Sequence, residues 1–145
     1  MTPDMIFSLS GALAMTGWAA LLASPFLPRL SQAVAGIAIP LLLAVAYSGI
    51  ALAHWSGTEG GFETLASVAR LFENPWLLLA GWIHYLAFDL FVGAWVARTA
   101  RAERIPFLLV IPCLFLTFLF GPAGFLLFLG LRLLRSITPA TTRVA

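Results

Sequence analysis

The sequence predicts an all-α integral membrane protein, a bundle of four transmembrane helices, on three observations. Of the 145 residues, 61% are hydrophobic and 10% charged, where soluble domains carry about 25% charge. The apolar residues fall in runs that match the roughly 20 residues needed to cross a hydrocarbon core about 30 Å thick. Helix-start signals and prolines punctuate those runs, so each reads as a separate element.

The first helix is expected over about 5–24. Thr2-Pro3-Asp4 offers a cap, a proline for the first turn and an acid near the positive helix end. The amino terminus lacks the basic segment of a signal peptide, so this helix is read as retained. Pro25 and Pro28 close it. The second helix, about 32–54, contains Pro40, which in a membrane helix predicts a kink rather than a stop. The third, about 75–97, opens on Asn74-Pro75, a cap followed by proline.

Between the second and third helices lies the longest hydrophilic stretch, beginning with the flexible run Ser56-Gly57-Thr58-Glu59-Gly60-Gly61. Its second half is amphipathic. Phe62, Leu65, Ala66, Ala69 and Phe72 recur at helical spacing with Glu63, Ser67 and Arg70 opposite, the pattern of a short helix lying in the interface. The third connection, Arg98 to Arg104, is rich in arginine. A fourth helix over about 106–135 would be roughly 45 Å long if straight, too long for the bilayer, so a kink or break is expected at Gly121-Pro122.

The whole chain, 1–145, is thus read as a single transmembrane domain with both ends on one side of the bilayer. On that topology the arginines tie. Arg29, Arg98, Arg101 and Arg104 lie on one side, and Arg70, Arg132, Arg135 and Arg143 on the other. Only the density of charge in the third loop tips the positive-inside rule toward a cytoplasmic location for it.

The net charge of +2 is spread over several loops and leaves no nucleic-acid footprint. A single cysteine, Cys113, inside an apolar run excludes an intrachain disulfide and a two-cysteine metal motif, and no metal or cofactor is expected. Two histidines on adjacent helices raise bis-histidine haem ligation, but His84 should lie about 15 Å deeper than His54, which argues against it.

The third helix carries the residues that point to chemistry. In Gly81-Trp82-Ile83-His84-Tyr85-Leu86-Ala87-Phe88-Asp89-Leu90-Phe91, an acid and an imidazole fall near mid-membrane. An aspartate there costs about 2.5–3.5 kcal/mol on insertion scales and marks either function or a structural clamp between helices. Five residues separate His84 from Asp89, roughly 140° around a helix. Asp89 therefore shares a stripe with Trp82 and Tyr85, while His84 lies with Gly81 and Phe88. Glu73 and Asn74 lie where this helix starts; loop solvation and capping explain both without a further role. The abundant aromatics suit a long conjugated or isoprenoid ligand as well as packing.

The block from Asn74-Pro75-Trp76 through Trp82-Ile83-His84 to Asp89-Leu90-Phe91, followed by an arginine-bearing loop and Phe120-Gly121-Pro122-Ala123-Gly124, resembles the abscisic-acid-deficient-four-like family. Its members include the plant plastid protein required for neoxanthin formation. The resemblance implies a four-helix membrane protein of carotenoid chemistry, in plants the isomerisation of the epoxide violaxanthin to the allene neoxanthin. That reaction needs an acid at the epoxide oxygen and a base at the polyene. The resemblance implies that Asp89 and His84 share these roles, in either order; Trp82, Tyr85, Glu73, Asn74, Gly121 and Pro122 are the expected substrate contacts. Because the chain reads as a bacterial member, it implies an inner-membrane protein acting on a carotenoid-like ligand. A non-catalytic pigment- or lipid-binding subunit, alone as a homo-oligomer or within a larger membrane complex, requires the same helices and remains the alternative; an ion pathway is the third reading.

Overall fold

A computed structural model describes residues 1–137, and every described element is helical. Helix α1 spans Pro3–Leu22, α2 Pro28–Ala33, α3 Ile39–His54, α4 Leu65–Leu71, α5 Pro75–Ala102, α6 Phe107–Phe120 and α7 Pro122–Ile137. A π-helical turn, Val34–Ala38, joins α2 to α3 without a break. It lies just before Pro40, whose missing N–H and bulky ring disturb the preceding turn of any helix, and a wider turn there absorbs the misfit. Among the described residues three helices are long and apolar enough to cross a membrane: α1, the continuous Pro28–His54, and α5.

Local chemistry sets the helix starts. The Thr2 hydroxyl accepts from the Met5 N–H at 3.4 Å, and the Asn74 Oδ1 accepts from the Trp76 N–H at 2.9 Å with Pro75 in the first turn. Thr64 caps α4, the short amphipathic helix between the second and third spans, through the Ser67 N–H at 3.1 Å. Two boundaries move from the sequence reading. Helix α5 runs on through Arg98 and Arg101 to Ala102, so most of the expected third loop is helix. Pro28 opens a helix rather than only closing one.

Helix α5 is the axis of the molecule, packed by α1, α3 and the α6–α7 pair. Along it, Ile83, Leu90 and Val96 are wholly buried. Helix α1 runs parallel to α5, with Phe7 against Trp82 at one end and Arg101 donating to the Ser24 carbonyl at the other. Helix α3 runs antiparallel, so His54 stacks on Trp76 with ring centroids 4.5 Å apart.

The principal correction concerns the fourth segment. It does not continue past Gly121-Pro122 as a kinked crossing; it reverses. Helix α6 has 14 residues, roughly 21 Å, short of a full crossing. Its end meets Tyr85 midway along α5, and α7 then returns alongside it. Trp95 packs on Phe125 and Phe128, and Arg132 closes an ion pair with Glu103 beside the start of α6, with Nε donating to Oε2 at 2.8 Å. The pair holds the exposed Glu103 carboxyl below its ordinary range. Since the folded value is the lower one, the stabilisation is present above the usual glutamate range and is lost as pH falls through the lowered value.

Reversal redistributes the charge. Arg132 and Arg135 join Arg29, Arg98, Arg101 and Arg104 at one end, where Glu103 is the one acid among the described residues. The opposite end holds Asp4, Glu59, Glu63 and Glu73 with Arg70. The expected tie in arginine is therefore absent, and the end of α7 does not share a side with the start of α1. Arg143 lies outside the described residues.

The hairpin yields two expectations. In a Cys113→Ser background, a cysteine at Ser136 should react with a membrane-impermeant maleimide from the same side as one at Arg104; labelling from the side of Gly57 would remove the hairpin. Substituting Gly121 by alanine should lower stability by about 1–2 kcal/mol or more, read as thermal unfolding in detergent, since its φ of 28° disfavours a side chain.

Candidate functional site

Midway along α5, Tyr85 and Asp89 lie one turn apart on the face that meets the α6–α7 tip. The Tyr85 hydroxyl lies 3.2 Å from the Phe118 carbonyl and 3.0 Å from the Leu119 carbonyl. These carbonyls belong to the last turn of α6, where no further helical N–H follows to bond them. Tyr85 thus caps a helix terminus that would otherwise present bare acceptors at membrane depth.

Asp89 occupies the other side of the tip. Asp89 is 9% exposed, and its Oδ2 is buried without a hydrogen-bond partner. Gly121 lies so close that a Cβ there would stand 3.0 Å from the carboxyl carbon. Glycine is required twice over, by this approach and by its positive φ. Pro122 begins α7, where its missing N–H costs nothing. Gly124 lets α7 lie on α6, since a Cβ would run into the Thr117 backbone and hydroxyl. The Gly-Pro-x-Gly sequence is therefore the geometry of the reversal. The tip also brings the positive end of α7 beside the carboxylate while the negative end of α6 meets the phenol.

Trp82, Tyr85 and Asp89 line a groove of ≈ 330 Å³ with Gly11, Trp18 and Phe118, between α1, α5 and the hairpin tip. Trp82 stacks on Tyr85 at 5.4 Å, and Trp18 meets Phe118 edge-on at 5.4 Å. One polar carboxyl in an aromatic, apolar groove has the make-up of a small-molecule site, with few polar groups to orient a hydrophobic ligand.

His84 is not in this groove. It is exposed, stacked on Phe88 at 4.5 Å and tilted against Tyr47 at 5.5 Å. It lines a second groove of ≈ 300 Å³ with Tyr47, Trp55, Phe62 and Phe72, under α4. The angular separation read from the sequence is thus realised as two separate grooves on either side of α5.

Glu73 and Asn74 belong to neither. Glu73 is exposed; Asn74 caps α5 and lies 3.5 Å from the Thr58 hydroxyl. Both are roughly 22 Å along the helix axis from Asp89. Of the residues expected around a substrate, Trp82, Tyr85, Gly121 and Asp89 come together, Pro122 follows directly at the tip, and His84, Glu73 and Asn74 stand apart. Sequence reasoning missed Trp18, Gly11 and Phe118, which come from other helices and carry no local signal of convergence.

Replacing Tyr85 by phenylalanine keeps the ring and removes the single O–H that the two α6 carbonyls share. The expected loss is about 1–3 kcal/mol in thermal unfolding, with helical content unchanged at low temperature.

No curated protein and no solved structure matches the chain. A family model described as ABA DEFICIENT 4-like matches residues 5–128, a span that contains both grooves and the hairpin tip. The chain, an all-helical membrane protein whose Trp82-to-Phe91 block and Gly-Pro-x-Gly turn meet at one point, belongs to the ABA4-like family.

Proposed function

We propose that this protein binds one end of a carotenoid or related isoprenoid in the groove between α1, α5 and the hairpin tip, and isomerises it by proton transfer at Asp89. The observation that carries the reading is the Asp89 Oδ2, buried in an aromatic groove beside the Tyr85 phenol and without a hydrogen-bond partner. A carboxyl kept at such cost in an apolar setting has an oxygen free for a ligand. The groove has room for a terminal ring rather than a whole polyene, so the remainder of the molecule would lie along the bilayer. Family membership adds the carotenoid connection implied by the sequence resemblance.

In an epoxide-to-allene isomerisation, one proton leaves a polyene carbon and one arrives at the epoxide oxygen, with no change in oxidation state. Asp89 can hold the proton in either direction, and the Tyr85 phenol one turn away is the second group in reach of the same ligand. His84 faces the other groove and serves there as an aromatic-stacked contact for the polyene or for lipid.

A second reading is favoured by one feature: Trp82 and Phe88 are exposed beside the two grooves. A pigment- or lipid-binding subunit, packed against copies of itself or within a larger membrane complex, would cover these faces without chemistry.

The arginine-rich end is assigned to the cytoplasm by the positive-inside rule, with the start of α1 on the far side of a bacterial inner membrane. The hairpin makes this asymmetry large, because six arginines gather at one end.

Co-expression in cells making epoxidised and non-epoxidised carotenoids, with pigment chromatography, tests the catalytic reading. Wild type should yield a new isomer; folded Asp89→Asn should lose on the order of 10²-fold or more of that conversion, the usual worth of a general acid or base, whereas His84→Ala should retain most of it. Pigment that copurifies unchanged with wild type and Asp89→Asn alike would move the assignment to binding.

A further inference from the structure

We propose that a cleft at the arginine-rich end, between the last turns of α5, the α1–α2 turn and the start of α6, binds the headgroup of an anionic phospholipid. The cleft holds ≈ 270 Å³. Leu21, Ala97 and Ala100 form its buried floor, and Phe107 closes one side. Arg98 and Arg101 stand exposed at its rim, and Gln32 of α2 lines it with them.

Three observations converge on a phosphate carried by an apolar chain. The arginines of the cleft are not neutralised: among the described residues the one ion pair is Glu103 with Arg132, and no acid lines the cleft. Arg101 is held in place, its Nη1 donating to the Ser24 carbonyl at 3.3 Å, and that bond uses one of the five N–H groups of a guanidinium. Arg29 lines an adjoining, shallower groove with Arg101 and Gln32, which adds a third positive charge beside the same place. Guanidinium forks match phosphate oxygens in pairs, and basic pockets between membrane helices at the interface are suited to anionic headgroups. The apolar floor decides between a free anion and a lipid. A soluble phosphate would use only the rim, whereas an acyl chain descending from its headgroup covers Leu21, Ala97 and Phe107.

The site is separate from the Asp89 groove, which opens between α1, α5 and the hairpin tip nearer the middle of the molecule. Occupancy would tie α1, α2, α5 and α6 together at the end of the bundle where Pro25 and Pro28 shape the α1–α2 turn.

The test uses the full chain in detergent, titrated with phosphatidylglycerol or phosphatidylcholine and read by native mass spectrometry. Phosphatidylglycerol should bind in preference, and Arg98→Gln with Arg101→Gln should weaken it by more than tenfold, about fivefold for each arginine. Arg135→Gln, at the same end but outside the cleft, should change it less than twofold. Equal losses in the two variants, equal binding of phosphatidylcholine, or displacement of the lipid by inorganic pyrophosphate at matching concentration would each overturn the assignment, the last in favour of a soluble anion. Should the double variant fail to fold by circular dichroism, Arg98→Gln alone carries the test, and unchanged binding in it overturns the proposal.

Discussion

A chain that reverses at membrane depth has no water to satisfy its backbone. At the end of α6 the carbonyls of Phe118 and Leu119 lose their helical donors, and Tyr85 is the group that meets them. Everything at the centre follows from holding the tip against α5. Gly121 supplies a backbone angle and a closeness that a side chain would forbid, Pro122 starts α7 without a wasted donor, and Gly124 lets the two arms lie together.

That architecture explains how one aspartate acquires an unusual setting. Helix α5 is the most buried element, and a carboxyl midway along it would normally be clamped by a partner on a neighbouring helix. Here the neighbour is a glycine at the tip, which offers space and the positive end of a helix but no side-chain donor. The same geometry that completes the packing therefore leaves one carboxylate oxygen uncommitted. Aromatic rings from α1, α5 and α6 surround it, so an apolar ligand is matched over most of its surface and addressed at one polar point.

The hairpin also organises the two ends of the molecule differently. By returning α7, it brings Arg132 to Glu103 and sets Arg132 and Arg135 at the end that holds Arg29, Arg98, Arg101 and Arg104, while the opposite end keeps Asp4, Glu59, Glu63 and Glu73 and the short amphipathic α4 with Arg70. The polar chemistry at the arginine end and the carboxyl at the centre are thus separate regions joined by one long helix, α5.

Much of this was legible in the residues alone. Composition and run length determine a helical membrane protein, because only helices satisfy their own backbone in a continuous apolar stretch of this kind. Caps at Thr2 and Asn74 determine where helices begin, and helical periodicity determines that Asp89 shares a face with Trp82 and Tyr85 but not with His84. The sequence also marks Gly121-Pro122 as a break. What it does not contain is the direction the chain takes afterwards, since a glycine and a proline permit a kink and a reversal equally. Tertiary contacts decided it: Tyr85 on the α6 carbonyls, Trp95 on Phe125 and Phe128, and Arg132 on Glu103 all join residues far apart in the chain. For the same reason only the folded chain converts an apparent tie of arginines into a charged end, because charge asymmetry is a property of where segments go and not of their composition.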